Sequence, residues 1–187
     1  IISMHTTPSG GSSTERVRIT GIGSVGVNIS NPFAQFQVNS TKNAETDRFH
    51  ASNYHLALRN PADDTGEAIG ISFGITSNTH KVGASILHER DGGGSQGSLQ
   101  FYTSSDGNSI SERLRIDSNG MIGIGGVTPK TQNTFDAIEF GKTGFLGSQT
   151  GARTVEMVSN AYYNSGWKYK EADVASQYYQ YQGAHHF

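Results

Sequence analysis

Residues 111–116, SERLRI, alternate apolar and charged positions. Leu114 and Ile116 fall on one side of an extended chain, and Arg113, Arg115 and Asp117 on the other. A period of two is the signature of a strand. DSNG follows, residue types whose side chains bond nearby backbone or accept positive φ, so a turn ending at Gly120 is predicted. The return strand puts Ile122 and Ile124 on one face, Gly123 and Gly125 on the other. An earlier stretch, TERVRITGIGSVGVNISNP at 14–32, aligns without a gap on SERLRIDSNGMIGIGGVTP at 111–129, at an offset of 97 residues. Its apolar positions are Val17, Ile19, Val25 and Val27, its glycines Gly23 and Gly26.

Each hairpin carries only a few apolar side chains on one face. A two-stranded hairpin of this length is marginal alone in water, so something must cover that face. Neighbouring segments of the same chain are one answer. Identical chains sharing an axis are another, and it accounts better for the strand glycines, which mark close approach of a further backbone.

Both copies then reach a proline. Ser30 or Asn31 is placed to cap a helical turn opened by Pro32, and Thr128 is the looser counterpart, with a strand carrying Phe36 and Val38 after the first. Between the copies, YHLALRN (54–60), EAIGISFGIT (67–76), KVGASILHER (81–90) and GSLQFYTS (97–104) read as strands, with turns at 61–66, 76–80, 90–97 and 104–109. A short helix is the expectation within 40–53. After the second copy, TVEMVSNAYYNSGWKYK and SQYYQYQG hold the single Trp and six of the eight Tyr, with KEADVAS as a loop. The expected class is all-β, in four parts: a hairpin collar at 1–40, an antiparallel β domain at 41–110, a second collar at 111–135 and an aromatic-rich β domain at 136–187.

Composition narrows the function. Net charge is −2 with Lys and Arg scattered, which speaks against nucleic acid as a partner. No apolar run approaches the roughly 18 residues of a membrane span, so membrane insertion is not expected. Cysteine is absent, so disulfides and thiolate metal sites are excluded. Apolar residues at 34% and 24 glycines are lean for a self-contained globule, which again points to burial supplied by other chains. The chain reads as an internal segment of something longer.

SERLRIDSNGMIGIG followed by TP resembles the ER-R-I-D-S-G-VGIG-T-P motif of bacteriophage tail fibres. HERDGGGSQGSLQFYTSSDG and NAYYNSGWKYK are similar to further segments of such fibres, especially marine phage ones. The first copy departs from the motif, with TGIG where DSNG stands in the second. The resemblance implies an elongated, parallel homotrimer with intertwined hairpin collars, exposed on the virion. Its partners would be two identical chains, other tail proteins and a host-surface glycan or protein. In that setting the trimer-axis candidates are Leu114, Ile116, Ile122, Ile124, Val17, Ile19, Val25 and Val27, and the turn or close-approach glycines are Gly120, Gly123, Gly125, Gly23 and Gly26.

For receptor contact the candidates are Tyr178, Tyr179, Tyr181, Trp167 and Gln180, because aromatic faces stack on sugar rings while amides satisfy the hydroxyls. Core or intersubunit packing is the competing use of the same aromatics. Arg16, Arg18, Arg113 and Arg115 share a face and repel unless acids offset them, Glu15 or Glu112 of a neighbouring chain being one source and simple solvation the other. The seven histidines lack zinc-type spacing, and no metal or cofactor is expected. RDGGGSQG lacks the lysine of a phosphate loop and the acids of a calcium loop, and reads as a hairpin loop. No catalytic residue is assigned. Two alternatives remain: a tailspike-like glycan hydrolase, for which Asp63, Asp64 and Glu67 are the nearest carboxylates, and a non-viral extracellular adhesin or filament module.

Overall fold

The period-two stretches fold as strands. In the computed structural model, which describes residues 1–45, 47–77 and 80–187, strands make up 43% of the chain and helix 2%, so the class is all-β as expected. The chain divides into two compact units, Ile1–Leu58 and Arg59–Phe187.

The first unit is a four-stranded sheet in the order β1 (Ile2–Thr6), β2 (Thr14–Ile19), β3 (Val25–Val27) and β4 (Phe36–Val38). Its pairs are antiparallel except β3–β4, which is parallel. The second unit contributes β5 (Ala68–Phe73), β6 (Ala84–Arg90), β7 (Gly97–Thr103), β8 (Ser111–Ile116), β9 (Ile122–Ile124), β10 (Phe135–Phe140), β11 (Gly144–Gln149), β12 (Thr154–Ser159), β13 (Ala161–Tyr163), β14 (Trp167–Tyr169), β15 (Ser176–Tyr181) and β16 (Ala184–His186). Ten of them form one sheet in the order β16-β15-β12-β11-β10-β9-β8-β7-β6-β5, and β13–β14 is a separate hairpin. The second copy of the sequence repeat therefore lies in the middle of a sheet shared with the strands before and after it.

The repeat is longer in space than the matched residues suggest. β1–β2 and β7–β8 pair with the same register at the offset of 97, Ile2 with Ile19 and Leu99 with Ile116, and each has an irregularity at the same step. Arg16 Nε donates to Thr6 Oγ1 at 2.9 Å, and Arg113 Nε to Thr103 Oγ1 at 3.0 Å. The turns match as well. Gly23 N–H donates to Thr20 O and Gly120 N–H to Asp117 O. Thr20 Oγ1 accepts from Ser24 N–H where Asp117 Oδ1 accepts from Met121 N–H. A hydroxyl thus replaces a carboxylate, and TGIG makes the same turn as DSNG. Asn28, at φ 54, stands where Gly125 has φ 81. Asn is the side chain that best tolerates that conformation.

The strand glycines have a local explanation. β3–β4 and β9–β10 are parallel, so the chain must cross back over the sheet between them. A Cβ on Gly26 would fall on the Ile29 carbonyl oxygen, and one on Gly123 on that of Val127, with Pro32 and Pro129 next to them. The approaching backbone is the chain's own return loop.

The arginines are also satisfied within the chain. Glu15 holds Arg18 and Glu112 holds Arg115 in two-pronged pairs. The irregularity in each strand pair leaves Arg16 and Arg113 without a register partner and carries them to the threonines. Several expected elements differ. YHLALRN forms no strand, and the segment after Pro32 bends without a helical turn. The predicted helix in 40–53 shrinks to a single 3-10 turn, Ala51–Asn53. Position 46 of that stretch, and positions 78 and 79 of the predicted turn at 76–80, lie outside the described residues.

Substituting Gly123 by Ala puts a methyl group against backbone that cannot swing aside. We expect a stability loss of about 1–3 kcal/mol in thermal unfolding. Gly93, which faces open space, should accept Ala within about 0.5 kcal/mol.

Candidate functional site

The registers sort side chains onto two faces of the ten-stranded sheet. One row runs Ile69, His88, Leu99, Ile116, Ile122, Ile138, Leu146, Met157 and Tyr178 across nine strands. A second runs Ile71, Ile86, Phe101, Leu114, Ile124 and Phe140. Much of this face is open: Ile71, Leu99, Ile116, Ile124, Phe140 and Met157 are all at least 36% exposed. In the first unit, one face of its own sheet carries Ile2, Ile19, Val25 and Phe36, then Met4, Val17, Val27 and Val38. All eight trimer-axis candidates lie on these apolar faces.

The opposite face is polar beside the second copy. Gln100 is 1% exposed and donates to Ser98 Oγ at 2.7 Å and to the Glu89 carboxylate. Tyr102 donates to Gln100 Oε1 at 2.7 Å, while Arg115 pairs with Glu112 and approaches Glu89 at 3.8 Å. Burial together with the nearby Glu112 carboxylate pushes the Tyr102 phenol above its usual range. Farther along, the same face holds the small core of Phe135, Ala137, Phe145, Val158 and Ala161, with Met121 from the turn. The β13–β14 hairpin packs against it through Tyr163 and Trp167, whose rings lie 5.7 and 5.9 Å from Phe135.

Two buried polar groups hold this hairpin and the loop after it, and a third, Glu156, ties β12 to its neighbours β11 and β15. Glu139 pairs with Lys170 at 2.8 Å, both nearly sealed from solvent, and also accepts from Lys130 N–H and Gln132 Nε2. Asn160, buried at φ 60, donates to the carbonyls of Glu171, Asp173 and Val174 and accepts from Glu171 N–H. Glu156, 2% exposed, has among the described residues only amide donors, Gln149 and Gln177. Burial pushes its carboxyl above the usual carboxylate range, and the two amides oppose that shift. Strand patterning marks none of these three. Only Asn160, a turn-type residue between two strands, carries a local signal.

Between the hairpin and the β12–β15 edge lies a cleft of about 270 Å³ lined by Val158, Ala161, Trp167, Lys168, Tyr169, Ala175, Ser176 and Gln177. Trp167 and Tyr169 are alternate residues of β14, paired opposite Tyr163 and Ala161, and are 43% and 66% exposed. Of the five receptor-contact candidates, Trp167 alone lines this cleft. Tyr178 bonds His185 and accepts from Gln180 Nε2. Tyr179 stacks on His186 at 4.4 Å and 9°. Tyr181 sits opposite Thr154 on the other side of β12. The period of two separates Tyr178 and Gln180 from Tyr179 and Tyr181, so the five do not converge. A larger hollow draws its lining from both faces, Phe140, Met157, Tyr178 and Phe187 together with Phe145, Val158 and Gln177.

Asp63 pairs with Arg90 at 3.1 Å, and Glu67 accepts from Asn60 Nδ2. Among the described residues no three His, Asp or Glu side chains gather as a metal ion would need. No family model matches this chain, and no curated protein matches it.

The raised Glu156 pKa sets a pH signature. An acid whose pKa is higher folded than unfolded favours the fold while protonated, and that contribution is lost as pH rises through the folded value. Glu156→Gln removes the cost of burying the anion. It should raise Tm at pH 7 by about 2–4 °C, the equivalent of roughly 1 kcal/mol, with the gap closing below the ordinary carboxylate range. A pH series of thermal melts checks it.

Proposed function

We propose that this chain is a structural and adhesive segment of a homotrimeric fibre of the bacteriophage tail-fibre type. It would stand on the virion, outside the host, joined to two identical chains and to other tail proteins. It spans distance and presents a surface to a host receptor, with a glycan as the favoured target. The repeat motif with its following segments carries the resemblance, and the resemblance supplies the number three.

The observation that carries the reading is the open apolar face. Two rows about 6.6 Å apart, crossing strands about 4.8 Å apart, make an apolar strip of roughly 500 Å². That is at the upper end of the roughly 300–600 Å² apolar patch of an ordinary monomer, a size often functional. The same alternation appears in both sequence copies, as expected if each copy meets its counterparts in the other chains. Identical chains are the natural occupant, because the rows are apolar except at His88 and Tyr178 and carry no Asp, Glu, Lys or Arg to match a different partner. Weak receptor contacts multiplied over three chains then give useful avidity.

Light scattering of the purified chain should return three times the 20.1 kDa chain mass. Leu99→Asp, in the centre of the apolar row, should shift that mass toward the single chain at micromolar concentration. Ile75→Asp, fully exposed outside the strands, should leave it unchanged. A wild-type chain that stays at single-chain mass while fully folded would refute the assembly.

A further inference from the structure

We infer that association through the apolar face is gated by pH, with His88 and His185 as the groups whose protonation separates the chains. The inference rests on the assembly reading above and names its regulation. Three observations carry it.

First, both imidazoles lie on that face. His88 stands in the first apolar row, opposite Ile69 and Leu99. Gly97 shares the side of Leu99, and a Cβ built there would lie 2.9 Å from the His88 ring. The ring therefore lies over the face itself. His185 is opposite Gln180 and is bonded to Tyr178, the last member of the same row. Phe187 takes the same side, with its ring 5.1 Å from that of Tyr178.

Second, little on the face offsets a positive charge at either position. The residues of β5 and β7 that face His88 are Ile69, Ile71, Gly97, Leu99 and Phe101. Charge enters only at the end of its strand, where Arg90 is held by Asp63 at 3.1 Å and Glu67 accepts from Asn60 Nδ2. His185 is bordered by Tyr178, Gln180 and Phe187, with Val155 and Met157 of β12 beyond them. Asp136 of β10 lies on the same side, about 19 Å away across four strand spacings.

Third, the other strand histidines point elsewhere. His5 lies with Ser3 and Glu15 on the far side of its own sheet. His186 stacks on Tyr179 on the face opposite the rows. Association through the apolar face would bury His88 and His185 and leave these two in place.

The sign follows from burial. In the single chain His185 is exposed and His88 half-buried, so a proton on either meets water. Beneath a neighbouring chain the imidazolium would be a charge in apolar surroundings without a counter-ion, which disfavours it. Separate chains therefore bind protons more readily, and assembly is full above the ordinary histidine range and weakens as pH falls through it. Each imidazole can change the dissociation equilibrium by up to about tenfold per pH unit. Glu156 does not imitate the effect: it lies on the opposite face, and its protonation favours the fold.

Light scattering across a pH series tests the gate. The wild-type chain should hold its assembled mass at about pH 7.5 and fall toward the 20.1 kDa single chain by about pH 5.5. Circular dichroism should stay unchanged, and the mass should return at neutral pH. The double variant His88→Gln/His185→Gln, neutral throughout, should remain assembled at about pH 5.5. Each single substitution should make the transition about half as steep. His50→Gln, in an exposed loop of the first unit, should behave as the wild type. A wild-type mass that holds down to about pH 5, or a double variant that dissociates where the wild type does, overturns the gate. Should the double variant be a single chain already at neutral pH, the single variants decide, and wild-type steepness in both overturns it. Wild-type single chains at every pH reject the assembly and the gate together, whereas assembly at every pH rejects the gate alone.

Discussion

The whole structure turns on which face of the sheet the chain itself can cover. A parallel step between β3 and β4, and between β9 and β10, forces the backbone to cross over one face, and it crosses where glycine leaves room. On that face lie the Glu89–Gln100–Tyr102–Glu112–Arg115 network and, farther along, the aromatic core beneath the β13–β14 hairpin. The other face carries the two apolar rows, and among the described residues no strand of its own unit packs over it. The second unit thus leaves much of its own apolar surface open. At roughly 25 cal/mol for each Å² removed from water, an open face of that extent is a strong drive to associate.

The same division places the cleft beside the β13–β14 hairpin. The hairpin that overhangs the sheet is held by buried groups rather than by bulk apolar packing: Lys170 on Glu139, and Asn160 gathering three carbonyls of the following loop. Such a buried pair is tolerable because every charged atom has partners. What it fixes is the position of Trp167 and Tyr169 relative to Gln177. On the proposed reading, the apolar face would serve assembly and leave the opposite face free for other contacts.

Much of this was legible in the sequence. The alternation Leu114, Ile116, Ile122, Ile124 named the strands and the shared apolar face, and the offset of 97 named the repeated hairpin. The extension of the repeat back to Ile2 was not legible, because Ser3, Met4 and His5 share no residue type with Gln100, Phe101 and Tyr102. Only the common register reveals it. The role of Gly26 and Gly123 was half legible: close approach was read correctly, but the approaching backbone is ten residues or fewer away in the same chain. YHLALRN failed as a strand although its alternation is clean, since a strand also needs a neighbour to bond. The five receptor-contact candidates do not share one face, because SQYYQYQ alternates and alternation splits neighbours in sequence onto opposite faces. Glu139, Glu156 and Asn160 carry no periodic signal, and their roles come wholly from tertiary contact.

The central claim, that the apolar rows are shielded by other copies of this chain, is tested most directly by a buried probe. The natural chain has no cysteine, so one introduced thiol is unique. At Met157, 55% exposed in the single chain and inside the row, a thiol should react slowly with a maleimide under native conditions and rapidly once the assembly is dissociated. A thiol at Ser105, in an exposed turn, should react rapidly in both. Equal native rates at the two positions would contradict the account.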